Sequence, residues 1–193
     1  MLVVIPFRAG GKSRLPSEIR SEVALAMLGD VVEVAVQVGE TRVVTDDPAG
    51  RLVALELGAE PAGDPGGGQG AAVAAALSGV DGVCLVVNAD LPRVRPSDLG
   101  ALAVPARLGA VAVVEAADGT TNALGLPHPE VFRPLYGPGS ARRFRAHTVA
   151  LDLRCEGLAL ANLVDDVDTL VDLEHIGPHG GPRTRAMLQA ITG

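Results

Sequence analysis

Short, continuously apolar runs alternate along the chain with stretches of helical spacing. Residues 2–6, LVVIP, are apolar throughout and too short for a helix. Such runs are strands buried on both faces, as in parallel sheets. The same pattern predicts strands over 41–45 (TRVVT), 82–88 (GVCLVVN) and 110–115, with a short one over 150–154. Between the first two strands, the spacing of Ile19, Val23, Met27 and Leu28 predicts a helix entered through Pro16, with Ser17 as its N-cap. Further helices are predicted over 71–77, over 97–104 starting at Pro96 or Ser97, within 128–136, within 140–150 and over 183–191. Residues 51–57 fit a short helix or a strand. Residues 119–126 pass from polar to apolar as at the edge of a site, and 164–173 read as a strand end or loop entering a helix.

Strands alternating with helices imply an α/β fold, with a mainly parallel, mixed sheet flanked by helices and joined by right-handed crossovers. No fixed-period repeat and no charged or Ser-rich linker interrupts the 193 residues, so one domain over 1–193 is expected. Ligands of such sheets sit beyond the carboxyl ends of the strands. Three polar loops fall at that edge, over 8–15, 63–70 and 88–92.

Composition narrows the function. Hydrophobic residues make up 48% of the chain, enough for a sizeable core. Aromatics are 2%, which speaks against stacking on single-stranded nucleic acid. A formal charge of -7 speaks against a broad basic surface for duplex DNA or an anionic membrane. No apolar run reaches the roughly 18 residues of a membrane span. Cys84 and Cys155 form no zinc or redox pattern, so a reducing cytoplasmic setting is expected. Of 16 basic residues one is Lys, namely Lys12, in a glycine-bearing loop after the first strand.

The loop RAGGKSR, with Arg8, Lys12 and Arg14, suits phosphate: glycines uncover backbone N–H groups and the cations screen charge. It is neither a Walker loop nor GxGxxG, and a solvated basic turn would look alike. In GDPGGGQG, the glycines Gly67, Gly68 and Gly70 allow a ligand close to the backbone and Gln69 can read a base edge; a linker is the plain alternative. Asp90 ends a buried strand and is fixed by Pro92, as befits a magnesium ligand or a simple turn carboxylate. Asp166 and Asp168, at i and i+2 next to Asp165, can share an ion if the segment is extended. They equally suit an acidic helix start. Thr121 and the stretch Gly137-Pro138-Gly139-Ser140 offer hydroxyls and a helix start to an anion, or simple capping. His147 reads as a packed helix residue, and no Ser-His-Asp or Cys-His arrangement points to covalent catalysis.

Taken in order, IPF-R, KSRL, GGGQGAAVAAAL, ADLP, TTNAL, YGPGS with His147, and DVDTLVDL resemble the 2-phospho-L-lactate and phosphoenolpyruvate guanylyltransferases of coenzyme F420 biosynthesis. The resemblance runs from Ile5 to about Leu173. It implies a nucleotidyltransferase fold of the glycosyltransferase-A, Rossmann-like type, transferring GMP from GTP to a phosphorylated three-carbon acid with release of pyrophosphate. It implies that Arg8, Lys12 and Arg14 contact the GTP phosphates, with Lys12 and Asp90 catalytic. It implies further that Gly67 to Gly70 lie against guanosine, that Asp90, Asp166 and Asp168 hold Mg2+, and that Thr121, Gly137 and Ser140 bind the acid. GTP and the acid are then the partners, without nucleic acid or membrane, and a homo-oligomer is compatible with the sequence. Heavy use of Arg, Ala, Val and Gly tilts the acceptor toward phosphoenolpyruvate. The rival readings are a molybdopterin-type or sugar-phosphate nucleotidyltransferase and a non-catalytic nucleotide-binding module.

Overall fold

The computed structural model describes residues 1–11 and 14–192. Among them, seven strands form one sheet: β1 (Leu2–Pro6), β2 (Glu40–Val44), β3 (Glu60–Ala62), β4 (Cys84–Val87), β5 (Val111–Glu115), β6 (Thr121–Leu126) and β7 (Cys155–Gly157). Their order is β3-β2-β1-β4-β6-β5-β7. Every neighbouring pair is parallel except those made by β6, which runs antiparallel to β4 and β5. The sheet is therefore mixed and mainly parallel, as expected. The reversal matters for function: it brings the start of β6 to the edge where β1, β2 and β4 end.

Alternation along the central strands divides the core. Val3, Ile5, Leu85 and Val87 pack under α1 (Arg20–Ala35), α2 (Pro48–Glu56) and α4 (Pro96–Arg107). Leu2, Val4, Cys84 and Val86 pack under α3 (Gln69–Leu77) and α5 (Ser140–Ala150). After the short α6 (Ala161–Val164), α7 (Leu170–Ile176) and α8 (Pro182–Thr192) close a third cluster against Val23 and Met27 of α1. The buried Asp30 accepts the backbone N–H groups of Arg183 and Thr184, capping α8 from within α1.

Several expected boundaries move, each for a local reason. The first helix begins at Arg20 with Ile19, not Ser17, as its N-cap, because residues 17–19 form a turn after which the Arg20 guanidinium donates to the Leu15 carbonyl at 2.8 Å. Residues 51–57 belong to a helix, started by Asp47, whose carboxylate accepts from Gly50 N–H at 2.8 Å. Within 128–136 there is only a 3-10 turn, Pro129–Val131. Pro127, Pro129 and Pro134 deny that segment helical N–H donors. The expected strand over 150–154 is instead the end of α5 and a turn through left-handed Asp152, and β7 follows it. Strand β3, too short to show a period, is an addition.

Candidate active site

The three polar loops do converge. The carboxyl ends of β1, β2 and β4 and the start of α3 surround a cavity of about 220 Å³, lined among others by Phe7, Arg8, Asp64, Gln69, Asn88 and Asp90. Lys12 lies outside the described residues.

The glycine loop is ordered by carboxylates. Asp46 accepts from Asp64 N–H at 3.0 Å, and Asp64 accepts from Gly66 N–H at 2.9 Å. The Asp64 side chain, nearly buried, also pairs with Arg8 at 2.7 Å, so Arg8 is held at the cavity edge with more than half of its side chain exposed. Gly67 and Gly68 both take positive φ, and Gly68 leads into α3 without a side-chain cap. Gly70 differs from them: a Cβ there would stand 2.6 Å from Cβ of Pro134, so that glycine is required by packing. Gln69 donates its amide to Asn88 Oδ1 at 2.7 Å, which fixes it over the end of β4.

Asp90, Asp166 and Asp168 come together, each offering an oxygen within 4.8 Å of the others. The i, i+2 argument holds physically, for Val167 between them is fully buried and sends its neighbours to the open side. Val167 N–H donates to the Asp90 carbonyl at 3.2 Å, tying the two segments. Thr169 and Asp172 form a capping box at the start of α7, and Asp172 also accepts from Asp168 N–H. Asp165 turns away to Arg93 at 2.8 Å, while Arg14 Nη1 reaches within 3.5 Å of Asp168. Three half-buried oxygen donors at this spacing suit a hard divalent cation, which would relieve their repulsion.

On the other side of β6, Thr121 and Ser140 meet, their hydroxyl oxygens 3.0 Å apart and buried. Thr120 has a different partner, donating hydroxyl and N–H to Asp118, and those bonds hold the Asp118 carboxyl below the usual range. Gly137 sits in the same loop as Ser140 with φ +107°, where a side chain would be strained. Arg143 braces this loop by donating to the carbonyls of Leu135, Tyr136 and Pro138. The Tyr136 ring packs edge-on against Phe144 at 5.3 Å, and burial pushes its phenol up. His147 is a packed helix residue, its Nε2 bonded to the Val131 carbonyl.

The structure thus brings Arg8, Gln69, Asp90, Arg14, Asp166 and Asp168 to one edge, with Thr121, Ser140 and Gly137 on the adjoining side of β6. Sequence reasoning missed Asp64, Asn88, Arg93 and Asn122. The signals were slight: Asp64 and Asn122 stand inside the quoted GDPGGGQG and TTNAL, and Asn88 and Arg93 beside ADLP, with no spacing that sets them apart.

No family model matches the chain. Single proteins do. It is 39% identical to a phosphoenolpyruvate guanylyltransferase of Nocardia farcinica, covering 92% of this chain and 83% of that one. It is 39% identical to the protein of that name from Rhodococcus opacus, covering 99% and 90%. Among solved structures, a candidate nucleotide-diphospho-sugar transferase from Desulfovibrio desulfuricans superposes with TM-score 0.79 at 14% identity, over 98% of this chain and 94% of that one. CMP:2-keto-3-deoxy-manno-octonic acid synthetase superposes with TM-score 0.62 at 18% identity, over 98% of each chain. These neighbours share the nucleotidyltransferase fold and, at such identity, nothing finer. With 37–39% identity over nearly its whole length to several proteins of one name, the chain belongs to the phosphoenolpyruvate guanylyltransferase family of nucleotidyltransferases.

Proposed function

We propose that this chain transfers GMP from GTP to phosphoenolpyruvate, releasing pyrophosphate, in the cytoplasm. The observation that carries the reading is the meeting of Asp90, which lines the cavity between the loops after β1 and before α3, with Asp166 and Asp168. A phosphate oxygen of the acid attacks the α-phosphorus of GTP, the bond from that phosphorus to the α–β bridging oxygen breaks, and pyrophosphate leaves with the electron pair. The acceptor is its own nucleophile, so the protein's task is alignment and charge neutralisation.

Placement supports the following residue roles. Gly67 and Gly68 let the nucleotide approach the backbone, and Gln69, fixed by Asn88, presents its amide oxygen to the base. Gly70 serves by packing on Pro134. Arg8, oriented by Asp64, and Arg14, beside Asp168, serve the phosphates, and Lys12 is assigned to the same task from its sequence motif. The donor set of Asp90, Asp166 and Asp168 fits magnesium, and these residues would hold it. Bound there, the ion supplies charge neutralisation for the phosphate oxygens. Thr121 and Ser140, bonded to each other away from solvent, serve the acid by holding the Gly137 loop and the start of α5 in place. Gly137 lets that acid lie against the backbone.

Pyrophosphate release tests the reading, with GTP or CTP offered against phosphoenolpyruvate, 2-phospho-L-lactate and 3-phosphoglycerate in turn. GTP with phosphoenolpyruvate is expected to turn over fastest. Release with CTP and not GTP, or GTP binding with no release from any acid, overturns it.

A further inference from the structure

We propose that Asn122 is a positioning residue that sets the separation of Asp90 from Asp166 and Asp168. This inference rests on the reading that those carboxylates hold a divalent cation. Asn122 is 1% exposed at the start of β6, and its carboxamide is fully engaged. Its amide protons go to the carbonyls of Leu163 at 3.0 Å and Val164 at 3.1 Å. Its Oδ1 accepts from the Asn88 amide at 3.3 Å, and its backbone carbonyl accepts from Asn88 N–H at 3.0 Å. Asn88 stands two residues before Asp90, and Val164 two residues before Asp166. One buried side chain therefore clamps both acid-bearing segments just upstream of their carboxylates, and no atom of its carboxamide remains for substrate.

The strands alone do not fix this distance. Asp90 follows β4, whereas Asp166 and Asp168 lie on an extended segment outside the sheet, after α6. That segment is tied to the Asp90 loop by a backbone bond from Val167 and by the Arg93 pair to Asp165. The carboxamide adds the link that runs through the sheet itself. It also continues the path from Gln69 through Asn88, so the residue fixed at the nucleotide cavity and the acidic segment share one chain of amides. Groups behind metal ligands characteristically change metal affinity by 10–100-fold when removed.

Manganese binding to the nucleotide-free protein, followed by the free-Mn2+ electron paramagnetic resonance signal, tests the proposal without any turnover. Wild type, Asp168→Asn, Asn122→Ala and the control Thr148→Val are compared where circular dichroism shows each folded. Thr148 is also buried, but its hydroxyl serves only the α5 side of the sheet. The expected result is a roughly 10-fold or greater weakening in Asn122→Ala with Thr148→Val unchanged. Should Asn122→Ala not fold, Asn122→Ser is read by the same criterion. Folded Asn122 variants binding Mn2+ within about twofold of wild type, while Asp168→Asn binds it poorly, would overturn the inference and leave the metal reading standing. If Asp168→Asn binds Mn2+ as wild type does, the metal reading falls and this inference with it.

Discussion

The hydroxyl oxygens of Thr121 and Ser140 lie 3.0 Å apart in a spot closed to solvent. One is on β6 and the other opens α5, so the bond pins a helix start to the sheet edge. Replacing Ser140 with Ala removes the bridge and leaves the Thr121 hydroxyl buried with one partner fewer. The expected loss of stability is about 1 kcal/mol. The KM for the acid should rise several-fold, with that for GTP within about twofold. Steady-state kinetics with each substrate varied in turn checks this, and equal rises for both would mean that Ser140 supports the fold or the nucleotide. The double variant Thr121→Val/Ser140→Ala should lose less stability than the two single losses combined, since the sites share one bond.

Asp90→Asn and Asp168→Asn should each lower turnover by about 100-fold or more while the fold survives, because a neutral amide is a poor partner for magnesium. Wild type should melt at higher temperature when magnesium is added, through preferential binding to the folded state. Both variants should lose that rise. Full turnover at saturating magnesium would remove the residue concerned from the ligand set.

Lys12→Ala should cut kcat/KM for GTP by roughly 100-fold, about 2.7 kcal/mol of transition-state stabilisation. Lys12→Arg should recover part of it, since charge returns on a larger, planar group. An unimpaired alanine variant, measured at fixed ionic strength, removes Lys12 from the phosphate site.

Gly70→Ala should destabilise the protein by about 1–3 kcal/mol, because the new methyl would overlap Pro134, with 2.6 Å between Cβ atoms and 2.9 Å to Cα. Thermal melting checks this, with a fall of a few degrees expected for a chain of this size. Gly100→Ala, where nothing lies within 4 Å of the added methyl in the middle of α4, should instead hold or gain stability.

Burial pushes the thiols of Cys84 and Cys155 up. The thiolate is the reactive form, so native protein at pH 8 should react slowly with iodoacetamide and unfolded protein quickly. The linkage has a definite sign. A raised folded pKa contributes stability that is present below the unfolded thiol's pKa and is lost as pH rises through it toward the folded value. Urea melts from pH 7.5 upward should show falling stability, with a shallower fall in Cys84→Ala.

Much of this protein is legible in the sequence. The unbroken apolar runs of β1 and β4 identify buried parallel strands, because a strand covered on both faces cannot alternate. The loops after them could be placed at a ligand edge by topology alone, and the spacing of Asp166 and Asp168 around apolar Val167 foretold two carboxylates on one side. Partners across the fold were not legible. The reversed β6, the pairing of Arg8 with Asp64 at 56 residues' separation, and the clamp of Asn122 on residues 41 and 42 positions away have no local signature. Backbone propensity and apolar periodicity act over a few residues and are written in order along the chain. Hydrogen bonds between buried polar groups depend on which segments the packed sheet brings within 3 Å of each other, and only the tertiary structure decides that.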